Sequence, residues 1–131
     1  MIVDTSALVA VVFREPGFER IVEALSAAQS IGIGAPTLAE TGVVLQARLG
    51  KDPSGLIARL LQEFGIVVVP FGEPHSREAI AAYARFGRGR HQAGLNFGDC
   101  LTYAVAHLAG EPLLAVGDDF GRTDLDVAAM T

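Results

Sequence analysis

The sequence is short of cysteine, lysine, net positive charge and long apolar runs, and each shortage excludes something. Its single cysteine, Cys100, can form no internal disulfide and leaves no Cys-based zinc centre. Lying within an apolar stretch, Cys100 reads as a core residue rather than a nucleophile. The longest apolar run, Ala7 to Phe13, is far below the ~20 residues that cross a bilayer. Met1-Ile2-Val3-Asp4 lacks the basic start and long apolar segment of a secretory leader, so a cytoplasmic protein is expected. Fifteen acids against ten bases give a net charge of −5. A protein that merely coats nucleic acid is basic, which demotes that class. An acidic protein can still act on RNA where cations neutralise its pocket. Gly87-Arg88-Gly89-Arg90 opens no helix and has no following lysine, so it is not a phosphate-binding P-loop.

What is present is enough for one domain over residues 1–131, with half of the residues apolar and 19% charged. That composition excludes a disordered chain, and it is apolar enough to suggest that a partner covers part of the surface. Ile2-Val3 reads as a short strand ending at Asp4, followed by a helix from about Ala7 to Phe13 capped by Thr5 or Ser6. Glu15-Pro16-Gly17 breaks that helix, and another runs from about Phe18 to Ala28. Ile31 to Gly34 is a second strand, weakened by its glycines. Helices follow from Pro36-Thr37 to about Leu49 and from Pro53 to Phe64, each stopped by glycine. Ile66 to Val69 is the clearest strand, β-branched throughout and ended by Pro70. Helices over Glu73–Phe86 and Phe97–Ala109 flank a loop, Gly87–Gly94. Leu113–Val116 forms a fourth strand, and Leu125–Ala128 is a candidate fifth. Alternating helices and continuously apolar strands predict a three-layer α/β domain, with a mostly parallel central sheet of four to five strands covered on both faces.

In such sheets ligands bind beyond the carboxyl ends of the strands, where the strand order switches. Asp4 ends the first strand. Glu40 and Asp99 fall in the first turns of their helices, and Asp118 and Asp119 follow the fourth strand. Each has a local explanation. Thr37 to Glu40 and Asn96 to Asp99 both fit capping boxes, Asp4 can accept helix-start amides, and Gly117-Asp118-Asp119 suits a turn. Together the acids are harder to explain locally, because carboxylates converging among apolar neighbours repel one another unless a cation joins them. The only lysine, Lys51, is remote in sequence. Oxygen ligands without cysteine or a histidine cluster select hard cations, Mg²⁺ or Mn²⁺. One or two such ions support phosphodiester hydrolysis.

At these residues the chain resembles a known family. Met1-Ile2-Val3-Asp4-Thr5-Ser6-Ala7-Leu8 is similar to the opening of PIN domains, in particular of VapC toxins from bacterial toxin–antitoxin pairs. Pro36-Thr37-Leu38-Ala39-Glu40 resembles the segment bearing the second acid, and Leu95-Asn96-Phe97-Gly98-Asp99-Cys100-Leu101 the most distinctive segment, bearing the third. Gly117-Asp118-Asp119-Phe120 with Thr123-Asp124 resembles the closing segment, which supplies a fourth. The resemblance spans the whole chain in order. It implies a Mg²⁺-dependent endoribonuclease that inhibits translation and is held in check by a small cognate antitoxin, whose C-terminal segment occupies or distorts the active-site groove. It also implies a homodimer within larger toxin–antitoxin complexes. In this reading Asp4 and Asp99 are the principal metal ligands, and Glu40 orients the attacking water or acts as general base. Asp118 serves as the fourth acid, with Asp119 its alternate. Ser6 presents a hydroxyl to a carboxylate or water, and Asn96 hydrogen-bonds Asp99 or substrate.

Arg85, Arg88, Arg90 and His91 concentrate positive charge before the third acid, where they suit RNA phosphates or an acidic residue of the antitoxin; a plain solvated loop is the equal alternative. His75 and His107 read as surface and helix-packing residues. A haloacid-dehalogenase-type phosphatase needs an aspartate where Ser6 stands, and both it and a phosphoacceptor receiver need a later lysine that is missing. The alternative from another class is a non-catalytic α/β protein-interaction module, in which every acid is a cap.

Overall fold

The computed structural model describes residues 1–128, so the last three residues of the expected 1–131 domain lie outside the described residues. The strands are β1 (Ile2–Val3), β2 (Ile31–Gly34), β3 (Ile66–Val69) and β4 (Leu113–Leu114). The helices are α1 (Thr5–Val12), α2 (Phe18–Ala27), α3 (Ala35–Leu49), α4 (Ser54–Phe64), α5 (Glu73–Phe86) and α6 (Phe97–Ala109), followed by a 3₁₀ turn at Phe120–Arg122. The strands form one sheet in the order β3-β2-β1-β4, and every neighbouring pair is parallel.

Successive strand residues point to opposite faces, and the core divides accordingly. Ile2 and Leu113 pack with Phe86, Leu95, Tyr103 and Ala104 on the side of α5 and α6. Val3 and Leu114 pack with Leu8, Ile21, Leu25 and Ile33 on the side of α1 and α2. Both faces are therefore covered over β2, β1 and β4, as the apolar strands predict, whereas the edge strand β3 leaves Val67 and Val68 exposed. The glycines of β2 have a packing role: a Cβ on Gly34 would stand 2.7 Å from Val105 Cγ2. That small residue lets α6 lie close against the sheet.

Three boundaries differ from the sequence expectation. Asp4, rather than Thr5 or Ser6, caps α1, its side chain accepting from the Ser6 amide at 3.1 Å. The helix α3 begins at Ala35 with proline in its first turn, so Glu40 stands in the second turn rather than the first. The strand β4 stops at Leu114, because the next amides leave the ladder and Val116 N donates to Ser6 Oγ at 2.9 Å. The candidate fifth strand is a single parallel bridge between Leu113 and Val127.

The chain steps from β1 to β2 to β3 in one direction and then returns to place β4 on the other side of β1. The strand order thus switches between β1 and β4, the place where open α/β sheets bind ligands. Among the described residues no helix is long and apolar enough to cross a membrane.

Candidate active site

The end of β1 delivers Asp4 to this switch point with only 6% of its surface exposed. A buried carboxylate must be hydrogen-bonded, and Asp4 has three donors. Its Oδ2 accepts from Ser6 N at 3.1 Å and from Ser6 Oγ at 2.7 Å, and its Oδ1 accepts from Thr102 Oγ1 at 3.0 Å. The proton of Ser6 is committed to Asp4 while its oxygen accepts from Val116 N. Ser6 thereby ties the end of β1 to the chain leaving β4.

Glu40 does not form the capping box that its spacing with Thr37 allows. The helix has already started at Ala35, and Thr37 Oγ1 pairs with Thr102 Oγ1 at 2.9 Å instead. The Glu40 carboxylate lies against Gly98 at the start of α6, where an added Cβ would stand 3.0 Å from each carboxylate oxygen. Thr5 Oγ1 lies 3.4 Å from Glu40 Oε1. Partial burial and then the charge of Asp4 raise the pKa of Glu40 above the usual carboxylate range, against the Thr5 hydrogen bond.

Asp99 does form its box. Its amide donates to Asn96 Oδ1 at 2.8 Å, and Asn96 N donates to Asp99 Oδ2 at 3.1 Å. Asn96 is therefore the N-cap of α6, and the cap uses one oxygen of Asp99. Even so, the Asp99 carboxyl is pushed up to about 6. Burial is the largest cause; the Asn96 amide opposes it, and the charges of Asp4, Asp119 and Glu40 add to it. The charges of Asp4, Glu40 and Asp119 therefore all reach Asp99. Asp118 is not among the charges that raise Asp99; both it and Asp119 are exposed.

None of the ion pairs among the described residues involves Asp4, Glu40, Asp99 or Asp119. Nor do any three His, Cys, Asp or Glu side chains there form a ready-made metal cage. The donor set nonetheless fits one kind of ion. All its atoms are carboxylate oxygens, their charges are uncompensated, and Mg²⁺ takes only one or two carboxylates while keeping its waters. A carboxylate has about four lone-pair sites, so three protein donors still leave Asp4 about one for a cation.

The structure separates the arginines. Arg85 lies 3.4 Å from Asp124, which accepts from the Tyr103 hydroxyl at 2.6 Å, and so belongs to a cross-tie between α5, α6 and the last segment. Burial alone would raise Asp124, but the Tyr103 hydrogen bond and the Arg85 charge outweigh it and hold the carboxyl low. Arg90 sits over the Tyr83 ring at 5.6 Å. Arg88 lines a mostly apolar groove of about 550 Å³ with Ile80, Tyr83, Asn96 and Phe97. His91 accepts from Ala93 N at Nδ1 and so orders the loop. His107 stacks on Tyr103 with ring centroids 5.4 Å apart, the packing role expected of it. Cys100 is buried in the core, where burial and the charge of Asp99 push its thiol up to about 11.

Sequence reasoning gave Thr37 only a capping role, passed over Gly98 and Phe97 as parts of the third-acid segment, and missed Thr102. Thr102 follows Asp99 by three residues, one turn along the same helix face, and Thr37 precedes Glu40 by the same interval. A hydroxyl inside an apolar helix was the available signal. Phe97, 77% exposed, separates the 550 Å³ groove from a depression of about 250 Å³ beside Glu40.

A profile of the PIN domain matches residues 1–125. The chain is 49% identical over 127 residues to the VapC ribonuclease Mb2004c of Mycobacterium bovis and to Ribonuclease VapC36 of Mycobacterium tuberculosis, covering 96% of this chain and 91% of each relative. The crystal structure of Mycobacterium tuberculosis VapC20, described as a sarcin-ricin loop cleaving toxin, matches with a TM-score of 0.80 at 18% identity, over 99% of this chain and 98% of its own. A toxin–antitoxin complex from Klebsiella pneumoniae matches with a TM-score of 0.70 at 17% identity, over 97% and 95%. These two structures share the fold; the profile and the mycobacterial relatives fix the lineage. The chain belongs to the PIN-domain family, in its VapC branch.

Proposed function

We propose that this protein is a Mg²⁺-dependent endoribonuclease, the toxin of a toxin–antitoxin pair, which inhibits translation by cutting RNA and is neutralised by a small cognate antitoxin. The observation that carries the reading is Glu40. Capping accounts for Asp4 and for one oxygen of Asp99, as a pure protein-interaction module requires. Glu40 caps nothing, faces Gly98, and has its pKa raised by burial and by Asp4.

Asp4 and Asp99 are the proposed principal ligands, and Asp119 replaces Asp118 as the favoured fourth acid because its charge reaches Asp99. When bound, Mg²⁺ (or Mn²⁺) would neutralise the phosphate and ease ionisation of the attacking water. Glu40 accepts that water's proton, a task for which a raised carboxylate pKa is suited. Ser6 and Thr102 donate to Asp4 and hold its carboxylate in place. Arg88, at the groove beside Asn96, holds an RNA phosphate. Replacing it with alanine is expected to weaken RNA binding and to lower the slope of log affinity against log salt by ~0.7, one single-strand phosphate contact. An unchanged slope would assign Arg88 to the antitoxin or to solvent. The exposed apolar groove and the matching toxin–antitoxin complex support the antitoxin partner, and a homodimer belongs to the same proposal.

The test combines cleavage and stability. EDTA is expected to stop cleavage of RNA and added Mg²⁺ to restore it, while Mn²⁺ raises the melting temperature of the RNA-free protein, as any ligand of the native state must. Folded protein with no Mn²⁺-dependent shift and no cleavage would establish the interaction module instead.

A further inference from the structure

We propose that Thr102 is the positioning residue of this site and that Thr37 acts behind it, the two hydroxyls forming a directed chain that aims Asp4. The inference rests on the nuclease reading for its purpose, while the geometry stands without it. Thr102 and Thr37 are 1% and 2% exposed, so neither hydroxyl can turn to water. Each has one proton. Thr102 Oγ1 lies 3.0 Å from Asp4 Oδ1, and an ionised carboxylate only accepts, so the Thr102 proton goes there. The reverse arrangement would set two lone pairs against each other in a buried space. With its proton spent, Thr102 accepts at 2.9 Å from Thr37, whose proton is fixed in turn.

The consequence is a frame. Thr37 sits one turn before Glu40 on α3, Thr102 one turn after Asp99 on α6, and Asp4 closes β1. A single hydroxyl chain therefore couples the three elements that carry the three acids. It does so in the buried layer, leaving the more exposed Glu40 and Asp99 carboxylates to meet ligand. A second branch reaches Glu40 less tightly: Thr5 Oγ1 has Thr37 O at 3.2 Å, Thr41 Oγ1 at 3.0 Å and Glu40 Oε1 at 3.4 Å as competitors for one proton. Asp4 is thus the tightly held carboxylate and Glu40 the loosely held one.

Outer groups that orient a ligand typically change metal affinity 10–100-fold when lost. Thr102→Val keeps the shape and removes the donor; Thr102→Ser keeps the donor and removes the methyl. In calorimetric titration with Mn²⁺, Thr102→Val is expected to bind about tenfold more weakly, Thr102→Ser within about twofold of the parent, and Thr37→Val between them. Crystal structures of the metal-free proteins should show the Asp4 carboxylate turned in the valine variant and unmoved in the serine variant. Equal Mn²⁺ affinity in the parent and all three variants, or an Asp4 that keeps its place without the Thr102 hydroxyl, would overturn the proposal and reduce Thr102 to packing. Should the parent itself take up no Mn²⁺, the nuclease reading falls, and the metal-free geometry of Asp4 in the two variants still decides the role of Thr102.

Discussion

Asp99→Asn is expected to lower Mg²⁺-dependent RNA cleavage by ~10²–10³-fold while leaving the metal-free protein as stable as the parent or more so. The two halves of that result have separate causes. An asparagine keeps an amide oxygen where Asp99 Oδ2 accepts from Asn96 N, so the capping box at the start of α6 survives. What disappears is the charge. Asp99 feels the negative potentials of Asp4, Asp119 and Glu40 and is half-buried, with its carboxyl pushed up to about 6, so its ionised form is a burden to the empty site. Removing that charge relieves the crowding. It also removes the anion that a hard cation needs, and a lost metal ligand costs several kcal/mol of transition-state stabilisation. Single-turnover cleavage and thermal melting without divalent ions measure the two effects. A variant that melts lower and cuts normally would make Asp99 a cap and nothing more.

That opposition between cap and ligand could be posed from sequence but not resolved there. Asn96 to Asp99 and Thr37 to Glu40 share one pattern, an N-cap residue with an acid three positions on, and only the first is realised. The difference lies upstream. Pro36 stands in the first turn of α3, the helix starts at Ala35, and Glu40 is carried past the capping position. Because Glu40 is then released from its own amides, it turns to Gly98 of another helix, a contact no local pattern encodes.

The sheet was legible for a simpler reason. β3 is an apolar β-branched run and needs no tertiary knowledge to recognise, and alternating helices leave a parallel sheet as the consistent topology. β4 was overextended because Leu113 to Val116 is continuously apolar, while the hydrogen bond that ends the strand comes from Ser6, far away in sequence. The threonine chain escaped notice on the same grounds. Thr37, Thr102 and Asp4 are separated widely along the chain, and a hydroxyl in an apolar helix declares a partner without naming it. The choice between Asp118 and Asp119 is also spatial: nearness to the strand end favoured the first, but the charge that reaches Asp99 is that of the second.

The metal-free protein is expected to lose stability as pH rises from ~4 to about 6, the reverse of the usual acid limb. In the unfolded chain an aspartate titrates near ~3.9, whereas Asp99 in the fold titrates at about 6. Between those values the folded state holds the proton and the unfolded state has released it, so stability falls with rising pH and levels off above about 6. Glu40 is displaced in the same direction and adds to the effect. Asp124 is displaced the other way; its stabilising contribution is present above the unfolded value and is lost as pH falls below ~4, which keeps the two windows apart. A divalent ion reverses the trend, because it binds the ionised carboxylates and must displace their protons. The Mn²⁺-induced rise in melting temperature should therefore be small at pH 5 and full by about pH 7. At Mg²⁺ far below saturation, cleavage should fall about tenfold per pH unit below about 6, because the ion must first displace the Asp99 proton. Asp99→Asn should remove most of the metal-free limb and leave only the part due to Glu40. A Mn²⁺ shift of equal size at pH 5 and pH 8 would mean that the ion does not compete with the Asp99 proton, and that the crowded acids are not its ligands.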